Sequence, residues 1–258
     1  MRHPTLRPLQ DGADVVPVIN GLRGGHPWDA VVVSLDWHVE NHCSFYETVV
    51  VEGRSPAPFH ESQDEAEAKS AGVFATVTLQ APDGVNPMRQ TLWPRHCVQD
   101  TWGAECHRDL ELKDTDVVVR KGVDPRVDSY SAFYDNQKLN QTVLLAELRR
   151  LGVTHVFVTG LALDVCVAFT ALHAAEEGFV TTVIEDACAG VTHEGIAEKK
   201  QAFLEAGINV AKSTDIGRLF SQSSLDEVTQ AAHRVQKAKQ LVQEYANEDG
   251  HAPPSSKS

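Results

Sequence analysis

Four short, almost entirely apolar runs constrain the fold of this chain more than any other feature. They are DAVVVSLD (residues 29–36), TDVVVRKG (115–122), THVFVTG (154–160) and FVTTVIED (179–186). Strands that are buried on both faces read as continuous apolar runs, which is typical of parallel sheets covered by helices. Stretches with helical periodicity separate several of these runs and follow the last one, at residues 139–152, 164–178 and 193–207. The alternation predicts an α/β fold with a doubly wound, mostly parallel sheet and helices on both faces.

The remaining segments set the predicted domain limits. VVPVINGL (15–22) is predicted to be a helix and INVAKST (208–214) a last strand, so that one domain covers residues 1–224. Within it, residues from about 52 to 90 are polar, acidic and turn-rich, and we expect this excursion to serve a binding site rather than the core. Residues 225–258 are predicted to form a polar C-terminal helix followed by a disordered tail.

The charge and cysteine content argue against several classes of function. The 258 residues carry 23 Lys and Arg against 36 Asp and Glu, a formal charge of -13. Nucleic acids and anionic membranes are therefore poor partners, because both are bound through basic clusters. No run is long and apolar enough to span a bilayer, and five cysteines without a CxxC pair indicate reduced thiols. We expect an intracellular, cytoplasmic protein, and the sequence leaves open whether it is a homo-oligomer.

Polar residues follow the predicted strands, at the sheet edge where ligands bind in folds of this class. Asp36 and His38 come directly after the first apolar run, and His96 follows in LWPRHC. One carboxylate and two imidazoles suit zinc, iron or manganese with open coordination positions. The simpler alternative is that all three are strand-end or loop residues bonded to the backbone. His42, four residues after His38, is either a fourth ligand or a neighbour of the ligands.

Cys166 is the second chemical candidate. Asp164 is predicted to cap the helix that follows the Gly160 turn, which places Cys166 in the first helical turn, where backbone N–H groups and the helix dipole favour a thiolate. Lys121, just past another strand, can stabilise a thiolate or an oxyanion. The alternatives are a cysteine that is simply a small buried apolar residue and a lysine that is simply solvated.

Aromatic residues near these candidates can contact a flat ring. Trp93 lies three residues before His96, and Tyr130 and Phe133 lie in DSYSAF. Each of the three can instead pack on the core. The other cysteines are expected to be structural or incidental: Cys43, Cys97, Cys106 and Cys188.

Four motifs, in this order along the chain, resemble the nicotinamidase branch of the isochorismatase-like cysteine hydrolases. They are DWH (36–38), LWPRHCVQDTWGAECH (92–107), RKGVDPRVDSYSAF (120–133) and GLALDVCVAFTALHA (160–174). The resemblance runs from about Leu6 to about Leu219. It implies the isochorismatase-like hydrolase fold and the hydrolysis of nicotinamide to nicotinate and ammonia, as in NAD salvage.

The resemblance implies a metal and a substrate pocket. Asp36, His38 and His96 would hold a divalent metal, often zinc in this branch, with iron or manganese as alternatives. The metal would bind the pyridine nitrogen directly or orient the ring through water. Trp93 and Tyr130 would contact the substrate.

The resemblance also implies the catalytic residues. Cys166 would attack the amide carbon, and the backbone N–H groups of Ala162 and Cys166 would form the oxyanion hole, next to a cis Leu161–Ala162 peptide. Lys121 would complete the polar set. Water would then hydrolyse the thioester.

The sequence departs from this family at its N-terminus. The family's catalytic base is an aspartate at the end of a first strand, whereas neither Asp11 nor Asp14 follows an apolar run. We therefore expect the first strand to be missing and the activity to be low, because general acid–base catalysis typically contributes ~10²–10⁴ in rate. Two alternatives stay open: a non-catalytic relative that binds metal or ligand, and a metal-free hydrolase of the isochorismatase type.

Overall fold

A computed structural model describes residues 12–222 and 231–248 of the chain. The chain divides into two compact units. Of the described residues, unit 1 comprises 12–33, 107–117, 143–222 and 231–243, and unit 2 comprises 34–106, 118–142 and 244–248.

The described residues form seven helices and seven strands of regular structure. The helices are α1 (Val15–Gly25), α2 (Glu65–Lys69), α3 (Leu144–Arg150), α4 (Ala168–Glu176), α5 (His193–Glu205), α6 (Ile216–Gln222) and α7 (Ala231–Glu248). The strands are β1 (Val32–Asp36), β2 (Thr76–Gln80), β3 (Pro87–Thr91), β4 (Val117–Lys121), β5 (His155–Leu161), β6 (Val180–Ala189) and β7 (Asn209–Ala211). Outside the excursion, each apolar run predicted to be a strand contains a strand, and each periodic run predicted to be a helix contains a helix.

Unit 1 is built on a parallel three-stranded sheet in the order β5-β6-β7. Helices α1 and α4 pack against β5 and β6. α1 forms because Val15, Val18, Ile19 and Leu22 recur at helical spacing, and Pro17 is tolerated in its first turn, where no intrahelical N–H is needed. Its apolar face meets a cluster that includes Ile184 of β6.

Unit 2 has its own core, and most of it comes from the excursion. β2 and β3 pair antiparallel, with Thr76 opposite Thr91, and alternate residues such as Val77 and Leu79 point into the core. The buried cluster consists of Cys43, Val49, Ala57, Ala68, Val77, Leu79, Ala81, Met88, Leu92 and Val127. The expectation that residues 52–90 serve a site rather than the core is therefore wrong. Their apolar residues are few and alternate with polar ones, because only one face of this hairpin is buried.

The described strands form three separate sheets. β1 pairs with β4, and this pair is distinct from the β5-β6-β7 sheet and from the β2–β3 hairpin. Among the described residues α1 comes first and β1 is the first strand.

Helix α7 lies within the predicted C-terminal helix, whereas the predicted tail falls outside the described residues. None of the helices in the described part of the chain is both long and apolar enough to cross a bilayer.

Candidate active site

Three predicted metal ligands lie together in unit 2. Asp36 is the last residue of β1, His38 follows two residues later, and His96 lies in the loop after β3. One donor atom from each of the three lies within 4.8 Å of the other two. His38 is 1% exposed, whereas Asp36 and His96 are partly exposed. The cluster is therefore anchored in the interior and open on one side.

The two imidazoles are held in the orientation that a metal requires. His38 Nδ1 lies 2.9 Å from the carbonyl oxygen of Gly122, and His96 Nδ1 lies 2.8 Å from that of Pro94. A carbonyl only accepts, so each Nδ1 carries the proton and each Nε2 presents a lone pair. Metal-binding histidines usually donate their second ring N–H in this way. This donor set can hold a divalent metal ion.

Lys121 sets the charge of the Asp36 carboxylate. Its ammonium group, 4% exposed, donates to Asp36 Oδ1 at 2.5 Å and to the carbonyl of Ser129 at 2.6 Å. Burial raises the pKa of Asp36, but Lys121 and the His38 and His96 imidazoles outweigh burial and hold that pKa at about 2. Burial also lowers the pKa of His38. The carboxylate is therefore ionised and the imidazole neutral at pH 7, which are the forms that bind metal.

His42 lies in a different group from Asp36 and His96. One donor atom each from His38, His42 and Asp128 lie within 4.8 Å of one another, and all three residues are buried. The His38 and His42 ring centroids are 4.3 Å apart. His42 Nδ1 lies 2.8 Å from the Ser44 hydroxyl and 3.3 Å from the Ser44 backbone nitrogen. Burial lowers the pKa of His42 to about 4.

The predicted ring contacts also lie in unit 2. Trp93 Nε1 donates to the hydroxyl of Tyr130 at 3.3 Å, and the two rings meet edge to face with centroids 6.4 Å apart. Trp93 pairs with Phe45 in an isolated β-bridge, and the Phe45 ring lies 5.5 Å from the His38 and His96 rings. Phe133 is fully buried and belongs to the core.

A cavity of about 610 Å³ in unit 2 has Lys121 in its wall. Its other lining residues include Gly122 and Ser129, but none of Asp36, His38 or His96. The volume is within the range of small-molecule sites. Trp93 and Tyr130 do not line this cavity.

The predicted nucleophile lies in unit 1, at the end of β5. The Leu161–Ala162 peptide is cis, as the resemblance implied. A π-helical turn, Leu163–Val167, follows it and leads into α4, and Cys166 lies in this turn. The carbonyl oxygen of Ala162 accepts from the N–H groups of Val165 and Val167, both at 3.0 Å. Cys166 therefore lies on a strand-to-helix turn, at the N-terminal end of the helical segment.

The prediction that Asp164 caps this helix is wrong. The residue at the cap position is Ala162, and Asp164 is 3% exposed inside the turn. Its carboxylate instead accepts the backbone N–H groups of Val191 at 2.8 Å and Thr192 at 2.9 Å. Asp164 therefore ties the Cys166 turn to the segment that leads into α5.

Glycines make room for the Asp164 carboxylate. A Cβ at Gly190 would lie 2.8 Å from Asp164 Oδ1, and one at Gly195 would lie 2.7 Å from Oδ2. The sequence did not predict this packing, the contact of Gly122 with His38, or the position of Asp128 beside His38 and His42. Gly122 carried a signal, since it follows a strand-end lysine directly, but its contact with His38 depends on tertiary structure.

The other cysteines are free thiols, as expected from their number and spacing. Burial raises the pKa of Cys97 to about 11, with a further contribution from Asp36, and raises that of Cys188 to about 12. Burial also raises the pKa of the fully buried Cys43. These three thiols are therefore protonated at neutral pH.

Comparison with known proteins places the chain in a family. The isochorismatase domain matches residues 59–215, more than half of the chain. The nicotinamidase of Acinetobacter baylyi is 35% identical over 207 residues, 80% of this chain and 84% of that protein. The nicotinamidase of Escherichia coli is 37% identical over 203 residues, 76% of this chain and 81% of that protein.

Solved structures agree with these relatives. The nicotinamidase/pyrazinamidase of Acinetobacter baumanii superposes with a TM-score of 0.66 at 35% identity, covering 80% of this chain and 87% of that one. The pyrazinamidase of Pyrococcus horikoshii, solved in complex with zinc, superposes with a TM-score of 0.55 at 26% identity, covering 78% and 87%. This chain belongs to the nicotinamidase branch of the isochorismatase family.

Proposed function

We propose that this chain hydrolyses nicotinamide to nicotinate and ammonia, a step of NAD salvage. The observation that carries the proposal is the Asp36, His38 and His96 cluster, in which both imidazoles turn Nε2 away from a backbone carbonyl and the carboxylate stays ionised. Such an open, mixed set of oxygen and nitrogen donors suits a Lewis acid that binds a heteroaromatic nitrogen. The relatives named nicotinamidase support the same substrate.

Zinc is the metal that we propose for this cluster. Two imidazoles and one carboxylate suit Zn²⁺ and leave a position open for a further ligand, and Fe²⁺ or Mn²⁺ also accept these donors. When bound, the metal supplies a Lewis acid for the pyridine nitrogen. The zinc complex of the Pyrococcus horikoshii relative supports this choice. Lys121 keeps Asp36 ionised as a ligand, and Trp93 and Tyr130 flank the ring of the substrate.

Cys166 is the proposed nucleophile. Its sulfur bonds to the amide carbon, and the backbone N–H groups of Ala162 and Cys166 stabilise the negative charge on the amide oxygen, each such donor contributing typically ~10²–10³ in rate. The C–N bond then breaks, and the amide nitrogen takes up the proton that the thiol gave up and leaves as ammonia. Water attacks the thioester, which releases nicotinate and regenerates the thiol. The free cysteines fit a reducing compartment, so we extend the proposal to an intracellular reaction.

The test compares three substrates at equal metal content. We expect ammonia and nicotinate in equal amounts from nicotinamide, and much less ammonia from benzamide, which lacks only the ring nitrogen. Isochorismate tests the metal-free alternative. Conversion of isochorismate by metal-free protein, with none of nicotinamide by the metal-loaded protein, would overturn the proposal. Binding of nicotinate without release of ammonia would identify a non-catalytic relative.

A further inference from the structure

We propose that Glu47 is a positioning residue for His96, a role that rests on the metal site of the proposed function. Glu47 is the first residue of a π-helical segment, Glu47–Val51. Its carboxylate Oε2 accepts the backbone N–H of Arg95, the residue before His96, at 2.8 Å. Glu47 is not one of the three proposed metal ligands, so any effect that it has on the metal passes through His96.

The peptide group between Pro94 and Arg95 links Glu47 to His96. Its N–H donates to Glu47, and its C=O lies 2.8 Å from Nδ1 of His96, whose proton it accepts. This peptide is trans, since among the described residues the cis bond lies at Leu161–Ala162. A trans peptide is planar, with its N–H and C=O pointing in opposite directions. Holding the N–H therefore also fixes the direction of the carbonyl that orients the imidazole.

The charge of Glu47 strengthens the hydrogen bond at the other end of this peptide. Hydrogen bonds to an ionised acceptor are roughly twice as strong as neutral ones, and linked hydrogen bonds polarise one another. A carboxylate bonded to the N–H therefore makes the Pro94 carbonyl a stronger acceptor for the Nδ1 proton of His96. Such an outer partner fixes the tautomer of a metal-binding histidine and raises its basicity as a ligand.

The side chain of Arg95 ties the His96 loop to the same π-helical segment. Its Nη2 lies 2.8 Å from Glu52 Oε1 and 3.4 Å from the hydroxyl of Thr48. The N–H of Glu52 donates to the carbonyl of Glu47 at 2.8 Å, which is the i→i+5 bond of a π-helix. Two acidic residues of one turn thus bind the backbone and the side chain of Arg95, and all of these residues lie in unit 2.

A purely structural role for Glu47 predicts a different result from a positioning role. If Glu47 only stabilised unit 2, its removal would change metal affinity by the same factor whichever residue stands at position 96. If Glu47 acts through the imidazole, the effect disappears when position 96 has no ring N–H. A double-mutant cycle between the two positions separates these cases.

The test measures the Kd for Zn²⁺ against a competing chelator and needs no catalytic activity. Glu47→Ala should raise the Kd ~10–100-fold, the usual effect of removing an outer partner of a metal ligand. Glu47→Gln keeps the shape and an acceptor oxygen but loses the charge. It should cause about half of that effect in free energy, which is ~3–10-fold in Kd.

The second arm of the cycle uses His96→Glu. This variant keeps an oxygen ligand for zinc but has no ring N–H for the Pro94 carbonyl. Adding Glu47→Ala to it should change the Kd by less than ~2-fold. Glu40→Ala is the matched control for Glu47→Ala, because Glu40 also faces Arg95 but is 80% exposed and lies 3.9 Å from Nη1. The control should leave the Kd unchanged.

Two results would overturn the role of Glu47. One is an unchanged Kd in Glu47→Ala, or in Glu47→Gln if the alanine variant does not fold. The other is a rise in Kd that persists in full in the His96→Glu background. A chain that shows the expected pattern of Kd values but releases no ammonia from nicotinamide would refute the proposed reaction alone. A chain that binds no Zn²⁺ would refute the metal site and the role of Glu47 together.

Discussion

Gly122 lies so close to His38 that a side chain at position 122 would collide with the imidazole. A Cβ atom there would lie 2.3 Å from Cε1 and 2.6 Å from Nδ1 of His38. Gly122 also has a φ of +65°, which L residues rarely adopt. The same glycine therefore supplies the carbonyl that orients His38 and the space that its ring occupies.

Gly122→Ala should displace His38 and weaken metal binding ~10–100-fold, the usual effect of losing an outer partner of a metal ligand. Gly53→Ala is the matched control, because Gly53 has a φ of +61° and nothing within 4 Å of its added Cβ. The control should share the backbone strain but bind metal normally. Equal metal affinity in the two variants, measured by zinc titration with a competing chelator, would refute this account of Gly122.

Asp164→Ala should destabilise unit 1 and misplace Cys166. It leaves the buried N–H of Val191 and the partly buried N–H of Thr192 without their acceptor, and a buried group left unsatisfied costs about 1–3 kcal/mol. Asp83→Ala is the control, because Asp83 also accepts two backbone N–H groups, those of Val85 and Asn86, but is exposed. Chemical denaturation should show a large loss of unfolding free energy for the first variant and a small loss for the second.

Asp164→Asn tests whether the hydrogen bonds of Asp164 position Cys166, apart from their contribution to the stability of unit 1. It keeps the shape of the side chain but faces one backbone N–H with an amide group. We expect kcat to fall more than KM rises, because the metal ligands and ring contacts lie elsewhere. An unchanged kcat would mean that the Asp164 tether does not position the nucleophile.

Local patterns predicted much of this fold, and tertiary contacts account for what they missed. The apolar runs located β1, β4, β5 and β6, because each run is rich in valine and other residues that favour strands. Burial on both faces does not explain all four, since β1 has no buried residue and exposed residues alternate with buried ones in β4. The β2–β3 hairpin has one local signal, the Asp83-Gly84 turn between its alternating strands, whereas the acidic stretch before it is not typical of a core segment. The Asp164 tether spans 27 residues to Val191, and no local pattern encodes such a contact.

Thiol reactivity should separate Cys166 from the buried cysteines. Cys97 and Cys188 have pKa values of about 11 and about 12, above the ordinary 9.0, so at pH 8 they remain protonated and react slowly with iodoacetamide. Raising the pH towards 11 should increase labelling of Cys97 before that of Cys188. Peptide mass spectrometry at pH 8 should find Cys166 modified first, with Cys106→Ser as a control background. Faster labelling of Cys188 at pH 8 would contradict the assignment.

Ammonia release from nicotinamide, measured for the chain and for Cys166→Ala at equal metal content, tests the central claim most directly. We expect the unchanged chain to release ammonia and nicotinate in equal amounts, even if slowly, and Cys166→Ala to release neither while it binds metal normally. Turnover that survives Cys166→Ala would contradict hydrolysis through a thioester on Cys166.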